Sequence, residues 1–223
     1  MICQNETRRE YDLRISTPTN IFVIGPSGCG KTTWVNTLIE TSQCVLNPPP
    51  KFVVICYAEN QPAYERIKRT CPVPIKFYKS FNMEIYDCLP RDTLLVLDDV
   101  LTDCKDKDLT EIIVRGGHHR GITQVLLGHN AYLKNMRTVS LNCHRFCFFK
   151  TIRDQTQIQK FGQQMAVGSK FLMNVYKHCT RLPHTYLFVD LDQETADELR
   201  FRSDIFNCEL QPVYVHPDCS SSC

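Results

Sequence analysis

The chain has 223 residues, 43% of them hydrophobic and 22% charged, with a formal net charge of +2. That is the composition of a globular domain with a full core, and no apolar run approaches the roughly 20 residues that a bilayer-spanning helix needs. The small charge does not by itself declare nucleic-acid binding, so any DNA contact must be local or summed over several subunits.

The opening stretch MICQNETRREYDLRIS lacks the charged-then-apolar order of a secretory signal, which sets the expectation of an intracellular protein. Thirteen cysteines are spread through strand-like runs such as VVICYA and RFCFF, a pattern of reduced, buried thiols rather than a disulfide framework.

The first strand pattern, 20–24, runs directly into VIGPSGCGKTTWV, residues 23–35. Gly25, Gly30, Lys31 and Thr32 fit the spacing G-x-x-x-x-G-K-[ST], a glycine-rich turn that opens a helix predicted over 31–41. Glycines let the backbone wrap a polyphosphate closely enough for its N–H groups to donate, and the helix N-terminus adds a favourable dipole. The expected cradle for ATP is therefore Gly25, Pro26, Ser27, Gly28, Cys29, Gly30, Lys31, Thr32 and Thr33. Lys31 reaches the β- and γ-phosphates, and the Thr32 hydroxyl completes a Mg2+ shell. On this reading residues 1–18 are an N-terminal segment, 19–205 a P-loop ATPase domain and 206–223 a tail whose last eight residues are frayed.

LNPPPK, 46–51, and CPVP, 71–74, read as short stiff connectors around a strand at 52–57 and a helix at 61–70. A strand at 75–78 overlaps KFYKSF, 76–81, where Lys76 and Lys79 are interleaved with Phe77, Tyr78 and Phe81; this reads first as a strand edge, with a DNA contact as the alternative. The next strand, 93–98, delivers two consecutive carboxylates in TLLVLDDVL. Ligands of open α/β sheets bind at that edge, so Asp98 is expected on the metal and Asp99 as the base that polarises the attacking water.

A helix predicted over 108–116 precedes HHR, 118–120, a second candidate for DNA contact. The strand at 122–128 ends in His129 and Asn130. Inserted between the phosphate-loop strand and the acidic strand, it puts that pair beside the γ-phosphate, where the Asn130 amide orients water without changing charge. A strand at 144–149 and helices at 154–165 and 169–178 complete an alternation that points to a doubly wound, mainly parallel α/β sheet with helices on both faces, the P-loop NTPase fold of the additional-strand type. Two cysteine–histidine groupings remain. Cys143, His144 and Cys147 read as core, while Cys208, His216, Cys219 and Cys223 form a looser set able to fold around zinc, although the spacing matches no common finger.

GPSGCGKTT, LLVLDD, GHHRGITQVLLGHN and RTVSLNCHRFCFFKTIRDQTQIQKFGQQM, in that order, resemble the genome-packaging ATPases of the FtsK/HerA superfamily. The likeness is to the poxvirus-type enzymes encoded by Maverick/Polinton elements and adintovirus-like viruses, and it covers residues from about 19 to 190. In that family the inserted strand commonly ends in Gln-Asn; here it ends in His129-Asn130, so only the Asn role carries over. The resemblance implies a homo-oligomeric ring around double-stranded DNA that threads a viral or viral-like genome into a capsid, docked on the capsid or its portal. It also implies no membrane partner and a place at an assembly site in the host nucleus or cytoplasm, or on the virion. Such rings complete each site with an arginine from the neighbouring subunit; Arg120, Arg137 and Arg153 are candidates, Arg153 foremost. Two other readings share the phosphate loop: a nucleoside or nucleotide kinase, and a nucleotide-gated assembly protein with little turnover.

Overall fold

Hydrophobic runs of alternating orientation line up here as the strands of one sheet, with the rest of the chain folded over both of its faces. The structure, a computed structural model, describes residues 11–100, 106–130, 140–153, 155–165 and 167–216. In chain order these hold β1 (Ile15–Ser16), β2 (Asn20–Ile24), α1 (Lys31–Glu40), α2 (Ser42–Val45), β3 (Leu46–Asn47), β4 (Phe52–Tyr57), α3 (Pro62–Thr70), β5 (Ile75–Tyr78), α4 (Met83–Asp87) and β6 (Thr93–Asp98). Then come α5 (Asp106–Arg120), β7 (Thr123–Gly128), β8 (Arg145–Phe149), α6 (Thr156–Gln164), α7 (Gly168–Cys179), β9 (Tyr186–Asp190) and β10 (Phe201–Arg202).

The main sheet has the order β10-β9-β8-β2-β7-β6-β4-β5. Every pairing from β8 to β5 is parallel, and β7 lies between the phosphate-loop strand β2 and the acidic strand β6, as the sequence predicts. Period-two alternation divides the strand residues between two cores. Ile21, Val23, Val96 and Val125 face α1, α2 and α3 through Trp34, Leu38, Val45 and Ile67. Phe22, Ile24, Leu97 and Leu126 face the other way, onto Tyr86 of α4, Ile112 of α5, Phe161 of α6 and Leu172 of α7.

Local signals explain where the helices begin. Pro62 stands in the first turn of α3, Glu65 follows it, and Lys68 and Arg69 close the last turn, matching the helix dipole at both ends. The Asn82 side chain caps α4 by accepting from the Ile85 N–H at 2.9 Å. Where α6 meets α7, a Cβ on Gly162 would lie 2.7 Å from the Ser169 Cα, so the close crossing depends on that glycine.

Several expectations need correction. The helix expected over 108–116 runs from Asp106 to Arg120, and those expected over 154–165 and 169–178 run Thr156–Gln164 and Gly168–Cys179. α4, β9 and β10 were not anticipated. β9 runs antiparallel to β8, and β10 antiparallel to β9, so the sheet is mixed at this edge. Beyond residue 205 the chain packs back on the sheet edge: Val213 bridges to Arg202, the Tyr214 N–H donates to the Phe201 carbonyl, and the Phe206 ring lies tilted against Trp34. The N-terminal segment is also tied down, with β1 pairing β3 and Ile15 buried.

Candidate nucleotide site

The phosphate loop leaves β2 at Gly25 and enters α1 at Lys31. Gly25 is buried where a Cβ would meet the Cys29 Sγ at 2.6 Å and the Phe149 Cβ at 2.7 Å. Gly28 and Gly30 take φ values of 75° and 110°, the left-handed region open to glycine, and so turn the chain back towards the helix. The Lys31 side chain is buried and its Nζ donates to the Gly25 carbonyl at 2.8 Å and the Pro26 carbonyl at 3.2 Å. The loop's own carbonyls thus hold the ammonium inside the cradle. Thr32 is half-buried at the first turn of α1, while Ser27 and Thr33 are exposed.

A cleft of about 560 Å³ opens over this loop. On its β6 side it is lined by Gln61, Asp98, Asp99 and His129. Asp98 ends β6 pointing to the α1/α3 face and is only 3% exposed. It accepts a hydrogen bond from the Tyr64 hydroxyl, and Gln61 Nε2 lies 3.5 Å away. Burial pushes the Asp98 carboxyl above its ordinary range; the Tyr64 hydrogen bond opposes that rise, Asp99 adds to it, and Lys31 and His129 pull it down. Burial also pushes the Tyr64 phenol up, followed by the Asp98 charge, so the phenol stays a donor.

Asp99 is exposed and takes a φ of 55°. Aspartate is one of the few side chains that tolerates the left-handed region, and the turn returns the chain to the core at Val100, which is buried. His129 Nε2 lies 3.5 Å from the Asp99 Oδ1 across the mouth of β7. Close packing fixes this strand end, because a Cβ on Gly128 would lie 2.8 Å from the Phe22 ring. Asn130 follows, half-buried, one residue beyond the side chain that lines the cleft.

Hard oxygen donors suit Mg2+, and the structure supplies them: the Asp98 carboxylate faces the loop whose first helical turn carries the Thr32 hydroxyl. A glycine cradle closed to any Cβ at Gly25, a lysine and a helix N-terminus suit a triphosphate equally well.

Arg153 is exposed in the segment after β8, at the same rim as the loop. Arg120, by contrast, sits at the opposite edge and is engaged locally: it pairs with Asp87 at 3.1 Å, donates to the Asp87 carbonyl at 2.7 Å and stacks over Tyr86 at 4.7 Å. Arg137, Cys219 and Cys223 lie outside the described residues, as do the side chains of His118 and His119. The aromatics of KFYKSF serve packing, since Phe77 packs edge-on or tilted against Tyr57 and Tyr64 and Phe81 edge-on against Tyr86, leaving Lys76 and Lys79 exposed. Cys143 and Cys147 are buried in cores on opposite faces of the sheet, and no cluster of three metal-ligating side chains occurs among the described residues.

Sequence reasoning missed three contributors to the site: Tyr64, Gln61 and His184. Each comes from a segment outside the motifs, and nothing in the local pattern marks it as part of the site.

No family model matches the chain, and no curated protein matches it in sequence. Among solved structures it is similar to the genome packaging NTPase B204 from Sulfolobus turreted icosahedral virus 2, solved in complex with ATPγS. The TM-score is 0.51 at 14% identity, over 79% of this chain and 94% of that one. The chain is therefore an α/β P-loop NTPase by fold, built on a plan shared with a viral genome packaging NTPase.

Proposed function

We propose that this protein is an ATP-driven motor that packages a double-stranded DNA genome of a virus or virus-like element into a capsid. The observation that carries the reading is one cleft in which the Lys31 loop faces Asp98 and Asp99 across an inserted strand ending in His129 and Asn130. The likeness to a packaging NTPase adds support for the task.

In this mechanism the loop N–H groups and Lys31 bind the β- and γ-phosphates. Thr32 and Asp98 hold Mg2+, which when bound neutralises charge on the phosphates. Asp99 accepts a proton from the attacking water, and Asn130 orients that water and reports the γ-phosphate. Adjacent carboxylates at one strand end fit water activation better than an acceptor pocket, which favours hydrolysis over a kinase reaction. Arg153, exposed at the nucleotide rim, enters the site of the next subunit of a ring. A ring multiplies a few lysines per subunit into a salt-sensitive grip on DNA, which reconciles the task with a net charge of +2. It works where capsids assemble, in the host nucleus or cytoplasm.

Steady-state ATP hydrolysis with and without double-stranded DNA, at two salt concentrations, tests this. Phosphate release stimulated by DNA, weakened by salt and reduced by at least roughly 100-fold in Lys31→Ala is the expected result. Phosphate passed to a nucleoside acceptor instead of water would replace the motor with a kinase.

A further inference from the structure

The phosphate loop on β2 has unlike flanks. On one side, beyond β7, stand the carboxylates of β6. On the other, beyond β8, stands β9, which runs antiparallel, so its first residue Tyr186 and the preceding turn come to the same rim as the loop. The cleft extends to this flank as well, where Trp34, Thr37, His184, Tyr186 and Phe206 line it. Trp34 and Phe206 have ring centroids 5.3 Å apart, and Phe149 and Tyr186 5.6 Å, which makes a continuous aromatic wall. A triphosphate whose γ-phosphate points at Asp98 directs its other end towards that wall.

His184 sits at the wall's edge in the left-handed region, at φ 62°, with its Nδ1 3.1 Å from the Cys29 carbonyl of the phosphate loop. A carbonyl oxygen only accepts, so Nδ1 carries the proton, and in the neutral ring Nε2 is left as an acceptor. Adenine presents an amino donor at the position where guanine presents a carbonyl acceptor. Resting on the phosphate-loop reading above, we infer that the Phe206 wall stacks the nucleobase and that His184 selects adenine over guanine. His184 is then a specificity residue that also buttresses the loop, so base and phosphates are read by one connected unit.

Trp34 is the only tryptophan in the sequence and lies in the wall, so its fluorescence reports binding without a label. The experiment titrates the full chain with ATPγS and GTPγS in the presence of Mg2+. Wild type is expected to prefer ATPγS by roughly tenfold. His184→Gly keeps the left-handed backbone without strain and should bring the two affinities within about twofold, chiefly by weakening ATPγS. His184→Asn, also at home in that backbone, serves the same purpose should the glycine variant unfold. Phe206→Leu should weaken both nucleotides alike by roughly tenfold, with their ratio kept. Equal binding of the two nucleotides by wild type, or an unchanged preference in both His184 variants, overturns the base assignment and leaves the phosphate-loop reading standing. Binding of neither nucleotide overturns both.

Discussion

Asp98 shows how a single residue's task depends on a neighbour that no motif includes. Its carboxyl is buried, and burial alone favours the neutral acid, which is a poor ligand for a hard cation. The Tyr64 hydroxyl offsets this by donating to the carboxylate. Tyr64→Phe removes the donor, so the Asp98 carboxyl rises further and the acid limb of the rate profile moves to higher pH. The Mg2+ concentration giving half-maximal hydrolysis should rise about tenfold at pH 6 and less at pH 8. An unchanged Mg2+ dependence at both pH values would show that Tyr64 only packs. Gly25, Lys31 and Asp98 were legible in the sequence because their chemistry is written in contiguous motifs. Tyr64 was not: it meets Asp98 through the crossover of α3, and a tyrosine on an amphipathic helix looks like any other core residue.

At the scale of elements, strand alternation was legible and the pairing at the sheet's far edge was not. Of the CHRFC run, read as strand core, Cys143 and Cys147 are buried but His144 is exposed ahead of β8, and the central Arg145 is 2% exposed, among the largest fully buried side chains. It pairs with Asp190 of β9 and with Asp192, each at 3.1 Å, and Arg202 of β10 approaches Asp190 at 3.6 Å while stacking over Phe188. Arg145 lies 45 residues from Asp190 and 47 from Asp192, and β10 has two residues, too few for any periodicity to show. Removing one partner of a buried ion pair leaves the other without its charge. Arg145→Met should therefore cost about 3–5 kcal/mol in the unfolding free energy, read by urea titration. A loss under about 1 kcal/mol would mean that Arg202 alone satisfies Asp190.

For the molecule as a whole, the parallel sheet and the place of β7 between β2 and β6 were foreseen, because each parallel strand carries its own apolar run; the places of β8, β4 and β5 in the order were not. Sequence does not distinguish an exposed arginine that is merely solvated from one that would act in a neighbouring copy, since exposure looks the same for both. Arg153→Ala and Asp99→Asn should each reduce hydrolysis by roughly 1,000-fold when pure. If Arg153 works across a subunit boundary, mixing the two restores activity, because some sites then combine an intact base with an intact arginine from next door. Failure of the mixture to recover, or near-normal hydrolysis by Arg153→Ala alone, would remove Arg153 from the mechanism.

The reversed direction of β9 has a mechanical side. Tyr186 stands at the nucleotide rim, and Asp190, four residues and about 13 Å along the same strand, is gripped at the opposite rim by Arg145 and Arg202. Arg202 in turn donates to the Leu13 carbonyl, which ties in the N-terminal segment. β9 is paired with β8 along its whole length and with β10 at Phe188 and Val189, so it forms a strut with one foot beside the cleft and the other in a charged anchor. The two rims of the fold are thereby linked by the backbone of a single strand.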